Sequence, residues 1–297
     1  IDVNNAFLSW TAVWFLSKGY DKDIRKRYAV IGGDESERKG IVLAKSDPCK
    51  RNGVVTAEPI YSARRKCPYL EIYKPSFKVY KFFSDKMFEY LSTYTDIIER
   101  YSIDECFLDY TNSVNLFGPP IDVAYKIKDE IYKKFGFTVN VGIGNNKLLA
   151  KMASDYKKPL GVTVLYKENI EQILWPISIE KMFGIGKKTY PRLIALGINT
   201  IGDLAKTEDE RVKSLLGNTY LYHKSHALGE GDDIVQPYEN DPKSISSART
   251  FDHDTTDYEE LKNLIIRRSK SISEQLKNYK KLITVTSFSF FHLQFTI

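Results

Sequence analysis

The chain has 297 residues, 42% of them hydrophobic, enough for several domains and a sizeable core. It has no apolar run long enough to cross a bilayer and no signal peptide, which argues against a membrane role. A net charge of +6 and a pI near 8.9 allow a nucleic-acid partner without requiring one. Three widely spaced cysteines, Cys49, Cys67 and Cys106, give no zinc or disulfide framework, so a cytoplasmic location is expected.

The first residues predict a short strand ending near Asn4, then a helix over Phe7–Leu16 closed by Gly19. Tyr28–Ile31 and Ile41–Ala44 read as buried strands. Lys45 to Gly53 is polar and basic, and Pro48 bars a regular ladder there. Glu58–Lys66 predicts a helix stopping before Pro68. Phe77, Tyr80, Phe83, Met87, Leu91 and Tyr94 fall three or four apart, one apolar stripe read as core. Val123, Ile127 and Ile131 mark a helix over Ile121–Phe135 with Gly136 beyond it. Phe137–Ile143 alternates as a strand, Asn146–Tyr156 is helical, and Val162–Leu165 is a further strand.

Between the two long helices lies Tyr101-Ser102-Ile103-Asp104-Glu105-Cys106. Asp104 and Glu105 sit at a bend between two apolar, strand-forming runs, which reads as a hairpin. Alone, such a pair reads as a solvated turn. With residues 10–76 set aside, however, the order is β, α, β, β, α, β, a ferredoxin-like unit with a large insertion. That α+β topology puts the first strand beside the hairpin, so Asp2, Asp104 and Glu105 can meet on one sheet face. Clustered carboxylates call for a cation, and their oxygens suit Mg²⁺.

Farther on, Phe183-Gly184-Ile185-Gly186-Lys187-Lys188 lies between helical stretches, with Gly197 and Gly202 read as turns. The Gly-Ile-Gly turn is the signature of a helix-hairpin-helix, whose backbone N–H groups can approach a DNA phosphate. Gly229 to Pro242 reads as a linker. Ser244–Phe251 is expected as a strand, Tyr258–Tyr279 as a helix and Leu282–Phe290 as a strand.

In this order the motifs resemble those of the Y-family translesion DNA polymerases, the DNA polymerase IV and UmuC group. The resemblance rests on Ile1-Asp2-Val3-Asn4-Asn5-Ala6-Phe7, Ser102-Ile103-Asp104-Glu105, Gly142 to Lys151, Asp155 to Gly161, and Lys243-Ser244-Ile245 with Arg249-Thr250-Phe251. It implies a palm of residues 1–9 and 77–165, fingers of 10–76, a thumb of 166–235, a linker of 236–242 and a little finger of 243–297. The little finger is expected to be partial, since no second helix is present and Ser287 to Ile297 holds no turn residue. The chain also opens without an initiating Met, directly on the strand carrying Asp2.

The resemblance further implies template-directed addition of dNTPs to a primer 3′-hydroxyl. Asp2, Asp104, Glu105 and the Val3 carbonyl would hold two Mg²⁺ ions, with Mn²⁺ able to substitute. Asn5, Ala6 and Phe7 would lie against the nucleotide, Phe7 as a steric gate beneath the sugar. Lys158 would reach the triphosphate. Asp47 and Lys50 stand where the family commonly offers Tyr and Arg, so Lys50 or Arg51 would supply the charge from the fingers. Asn4 stands where many members have a second Asp, a position that holds no metal. Gly184, Ile185, Gly186, Lys187, Lys188, Ser244 and Arg249 would contact DNA, and a sliding clamp is a candidate partner. The alternatives are a catalytically inactive homologue acting as a DNA-binding adaptor, and a nucleotidyl cyclase on a similar palm.

Overall fold

The computed structural model describes residues 1–33, 40–232, 234–237, 244–251 and 253–279. The chain forms two compact units, one of Ile1–Gly33 with Gly40–Glu239 and a second containing residues 244–279.

The first unit opens with β1 (Asp2–Val3) and α1 (Ala6–Ser17), whose end at Lys18 and a left-handed Gly19 matches the expected glycine stop. One face of α1 (Ala6, Trp10) enters the main core, and the other (Leu8, Ala12) packs on a small sheet. The helix is thus continuous across the 9/10 boundary expected from sequence. That small sheet has the order β3–β2–β4, from β2 (Ala29–Gly32), β3 (Val42–Lys45) and β4 (Glu71–Tyr73). Between β3 and β4 run α2 (Asp47–Arg51) and α3 (Ile60–Lys66). The polar stretch read as irregular is therefore partly helical. Ser46 caps α2 by accepting from the Cys49 N–H, and Pro48 sits in the first turn, where its missing donor does no harm.

Next come α4 (Phe77–Leu91), β5 (Ile98–Arg100), β6 (Cys106–Leu108), α5 (Val114–Phe117), α6 (Pro120–Phe135), β7 (Val139–Gly144), α7 (Lys147–Tyr156) and β8 (Val162–Leu165). β5 and β6 form the expected hairpin. An Asp2–Glu105 bridge joins it to β1, which pairs antiparallel with β7, and β8 lies parallel beyond β7. The resulting order β5–β6–β1–β7–β8 is ferredoxin-like with one added edge strand. Val123, Ile127 and Ile131 are buried as their spacing predicts, as are Tyr80, Phe83, Met87, Leu91 and Tyr94. Phe77 is the exception at 60% exposed: it starts α4 at the rim, edge-on to Phe7.

A second core joins α7 to the helices that follow: α8 (Ile170–Ile173), α9 (Tyr190–Ala195), α10 (Ile201–Lys206), α11 (Glu210–Leu216) and α12 (Tyr220–Ala227). Gly197 makes a left-handed turn as expected. Gly202 does not; it lies inside α10, where a Cβ would come within 2.8 Å of Trp175. Residues 229–232 and 234–236 run back along β5 and α7: Asn146 Nδ2 donates to Gly229 O (2.9 Å), and the Gln236 N–H to Glu99 Oε2 (2.9 Å).

In the second unit α13 (Tyr258–Tyr279) matches the predicted helix. Residues 244–251 form no strand, and the second strand expected in this part, Leu282–Phe290, lies outside the described residues. Arg268 Nη1 donates to Ser247 Oγ at 3.3 Å.

Candidate active site

The site grows from one backbone junction. The Val3 N–H donates to Asp104 O (3.0 Å) and the Cys106 N–H to Ile1 O (3.1 Å), which sets Asp2 directly across from Glu105. On its other side Asp2 pairs with Asn140 of β7. Asn140 is fully buried and donates to Asn4 Oδ1 (2.6 Å), while Asn4 Nδ2 donates to Thr138 Oγ1 (3.1 Å). Asn4 thus serves as a strut behind β1, using an amide donor that an Asp would lack.

Two glycines bring a lysine over the acids. A Cβ on Gly142 would lie 2.0 Å from Ala150 O, and one on Gly144 would lie 2.6 Å from Ala150 N. Glycine at both positions lets α7 rest directly on β7. That contact aims Lys151 Nζ at Asp2 Oδ2 (3.0 Å) and at Glu105 Oε1. Lys158 Nζ reaches Asp2 Oδ1 (2.8 Å) and Asp155 Oδ1 (2.7 Å). Lys151 is the residue that motif reading missed as a site residue. Its only sequence signal was its place in Gly142–Lys151, because its contacts span most of the domain.

Burial opposes ionisation of Asp2, but the Glu105 carboxyl and the two lysines outweigh it and hold Asp2 down at about 2. For Glu105, burial and the neighbouring Asp2 win over Lys151, and the carboxyl is pushed up to about 7. Burial alone would lower Lys151, yet Glu105, Asp2 and Asp155 raise it. Around neutral pH, then, a protonated Glu105 can share its proton with Asp2 beneath a charged lysine.

This predicts a pH dependence. Because folding raises the Glu105 pKa above its ordinary 4.5, its favourable contribution is complete below that value and is lost as pH rises through about 7. In chelator, the unfolding free energy should decline by up to about 3 kcal/mol over that window, and Glu105→Gln should flatten the profile. Denaturant unfolding at several pH values measures it.

Asp104 stands one residue from Glu105, but its Oδ1 accepts from Ser102 Oγ at 2.7 Å. Among the described residues no three metal-binding side chains are gathered at one point. The donor set nevertheless fits a hard dication: it is all oxygen, and its two closest carboxyls are crowded enough to hold a proton between them. Val3 is buried beside Asp2 in β1.

Of the other predicted residues, Asn5 is left-handed, and its Nδ2 donates to Asp47 Oδ1 (3.3 Å), linking the end of β1 to α2. Ala6 is buried at the start of α1. Phe7 is half-buried. Its ring stacks on Tyr80 at 4.4 Å and 6°, and Tyr80 is fully buried, its hydroxyl 3.4 Å from Thr11 Oγ1. Lys50 and Arg51 are exposed on α2. Gly184 is left-handed (φ 88°), and Ile185 beside it is buried. The helical stretch expected before the turn is a single 3₁₀ turn (Ile179–Lys181). The N–H groups of Gly184, Gly186, Lys187 and Lys188 meet no acceptor among the described residues. Ser244 and Arg249 are exposed in the second unit.

Comparison with known proteins agrees with this geometry. Residues 1–155 match the impB/mucB/samB family, 167–198 the IMS family HHH motif, and 242–290 the impB/mucB/samB family C-terminal domain. A DNA polymerase IV of Clostridium acetobutylicum is 41% identical over 97% of this chain and 72% of its own length. A solved Y-family DNA polymerase chimera superposes with a TM-score of 0.77 at 26% identity, over 92% of this chain and 78% of its own. An insertion ternary complex of Dbh DNA polymerase gives a TM-score of 0.68 at 28% identity, over 79% and 67%. With the ferredoxin-like sheet and the paired acids already in place, these matches show that the chain belongs to the impB/mucB/samB family, the Y family of translesion DNA polymerases.

Proposed function

We propose that this polymerase joins dNTPs to a primer 3′-hydroxyl at the junction of β1 and the β5–β6 hairpin, where Asp2, Asp104, Glu105 and the Val3 carbonyl hold two Mg²⁺ ions. The observation that carries the reading is the pairing of Asp2 with Glu105 under Lys151 and Lys158. The hydroxyl attacks the α-phosphorus and pyrophosphate leaves. When bound, the ions lower the hydroxyl's pKa and neutralise the departing phosphate. Lys158 and Lys50 steady the triphosphate as point charges, with Arg51 beside Lys50 on α2 the alternative source of charge from that helix. Lys151 balances the carboxylates before substrate arrives. Phe7, braced on Tyr80, lies beneath the sugar, with Asn5 and Ala6 beside it.

In this reading residues 1–9 and 77–165 are the palm, 10–76 the fingers, 166–235 the thumb, 236–242 the linker and 243–297 part of the little finger. Duplex phosphates meet the Gly184–Lys188 turn and, in the little finger, Ser244 and Arg249. The free N–H groups of that turn support its part in this reading. The two glycines should respond differently. A Cβ on Gly186 would meet nothing within 4 Å, whereas Gly184 has a positive φ and a Cβ there would lie 3.2 Å from His223 Cε1. Gly186→Val should therefore fold as the parent does but bind duplex about tenfold more weakly, and Gly184→Val should unfold earlier. Fluorescence anisotropy across a salt series, beside thermal melts, reads both. Affinity should fall steeply with salt, and a salt-independent affinity would count against phosphate contact.

The function itself is tested with four primer–templates that differ only in the templating base, each offered one dNTP at a time. Insertion that follows the template supports the proposal. Binding without insertion would point to an inactive adaptor, and nucleotide turnover without primer to a cyclase.

A further inference from the structure

Cys49 and Cys67 are free thiols, each 0% exposed, in the core beneath the β3–β2–β4 sheet. Cys49 lies in the middle of α2. Cys67 closes α3, its N–H donating to Ala63 O at 2.9 Å. The two side chains pack in the same core cluster. Asn52 Nδ2 also donates to Cys67 Sγ at 3.7 Å. Burial, with Cys67 adding to it, pushes the Cys49 thiol up to about 11, so at rest Cys49 is a thiol and not a reactive thiolate. The remaining cysteine, Cys106, belongs to a different core.

We infer that Cys49 and Cys67 form a peroxide-sensitive pair whose oxidation to a disulfide ties α2 to the end of α3 and slows nucleotide insertion. Access comes through α2 itself. It is only five residues long, and Lys50, Arg51 and Asn52 on and beside it are exposed, so local opening of one turn uncovers the thiols. In the opened form the Cys67 sulfur attacks one oxygen of hydrogen peroxide. The O–O bond breaks, the departing oxygen leaves as water with the thiol proton, and Cys67 becomes a sulfenic acid. The Cys49 sulfur then attacks the Cys67 sulfur. The S–S bond forms, the S–O bond breaks, and a second water carries off the Cys49 proton. The two thiols give up two electrons in all, and one peroxide is reduced to two waters. The disulfide removes the freedom of α2 to adjust. The effect on rate rests on the proposed role of Lys50 or Arg51 at the triphosphate; formation of the bond does not.

The test uses the whole chain, reduced, freed of reductant and exposed to hydrogen peroxide. Non-reduced peptides are mapped by mass spectrometry while single-nucleotide insertion is followed in parallel. The expected result is a Cys49–Cys67 linked peptide two hydrogens lighter, a several-fold loss of insertion rate, and recovery of both on adding dithiothreitol. Cys67→Ser should insert at the parent's rate and lose the sensitivity, and Cys106→Ser should keep it. If Cys67→Ser does not fold, the linkage map and the recovery of the parent decide. Unlinked or irreversibly oxidised cysteines in a still-folded protein overturn the inference, as does a linked protein that inserts at full rate. Failure of the nucleotide-site reading looks different: the reduced protein would not insert at all, whatever the map shows.

Discussion

Replacing Asp104 with Ala should abolish templated insertion while leaving the fold and duplex affinity nearly unchanged. The acids' role is worth several kcal/mol of transition-state charge stabilisation, on the order of a thousandfold in rate. Asp104 separates chemistry from stability better than its neighbours do. Among the described residues its carboxylate bonds only to Ser102 Oγ within its own turn, whereas Asp2 is buried between two lysines. Removing Asp2 would strand part of that charge, and breaking such a buried pair typically costs about 3–5 kcal/mol. Single-turnover insertion, thermal melting and anisotropy on the Asp104→Ala protein make the comparison. An Ala variant that inserts at the parent's rate would remove Asp104 from the site.

The second large effect is on sugar choice. Phe7→Ala should admit ribonucleotides while dNTP insertion persists, a change of about 3 kcal/mol or roughly a hundredfold in relative efficiency. The structure supplies what a gate needs. The ring is only half-buried, yet it is held flat on Tyr80, a fully buried ring that cannot retreat. A fully buried Phe cut to Ala loses about 3–5 kcal/mol of stability; at this rim position the loss should be smaller. Measuring the melt and the ribonucleotide-to-deoxyribonucleotide ratio on one preparation separates packing from gating. A folded, active variant that still rejects ribonucleotides would show that Phe7 is not the gate.

The ferredoxin-like sheet and its helices were legible from sequence because their signals are local and long. The stripe Val123, Ile127, Ile131 spans a whole helix, and the hairpin carries its acids at a bend between two strand-forming runs. The elements that escaped are short. β4 has three residues, and α2 has five with a proline that reads equally as a ladder breaker or as a first-turn residue. Phe77 had the spacing of a core residue but is the first residue of its helix and lies exposed. Ser244–Phe251 had strand-forming residues, but a strand also needs a partner, which composition cannot supply. At the site, Asp2 and Glu105 could be brought together by topology alone. Lys151 could not, because its position depends on two glycines that let one helix settle on one strand.

The central claim is that the oxygen ligands at the β1–hairpin junction make this a metal-dependent, template-directed site. It is tested most directly by titrating Mg²⁺ into chelator-treated protein while following insertion of the single nucleotide that matches the template. The rate should start from zero, rise with Mg²⁺ to a plateau, and return to zero when chelator is added in excess. Insertion at an undiminished rate in excess chelator would contradict the account.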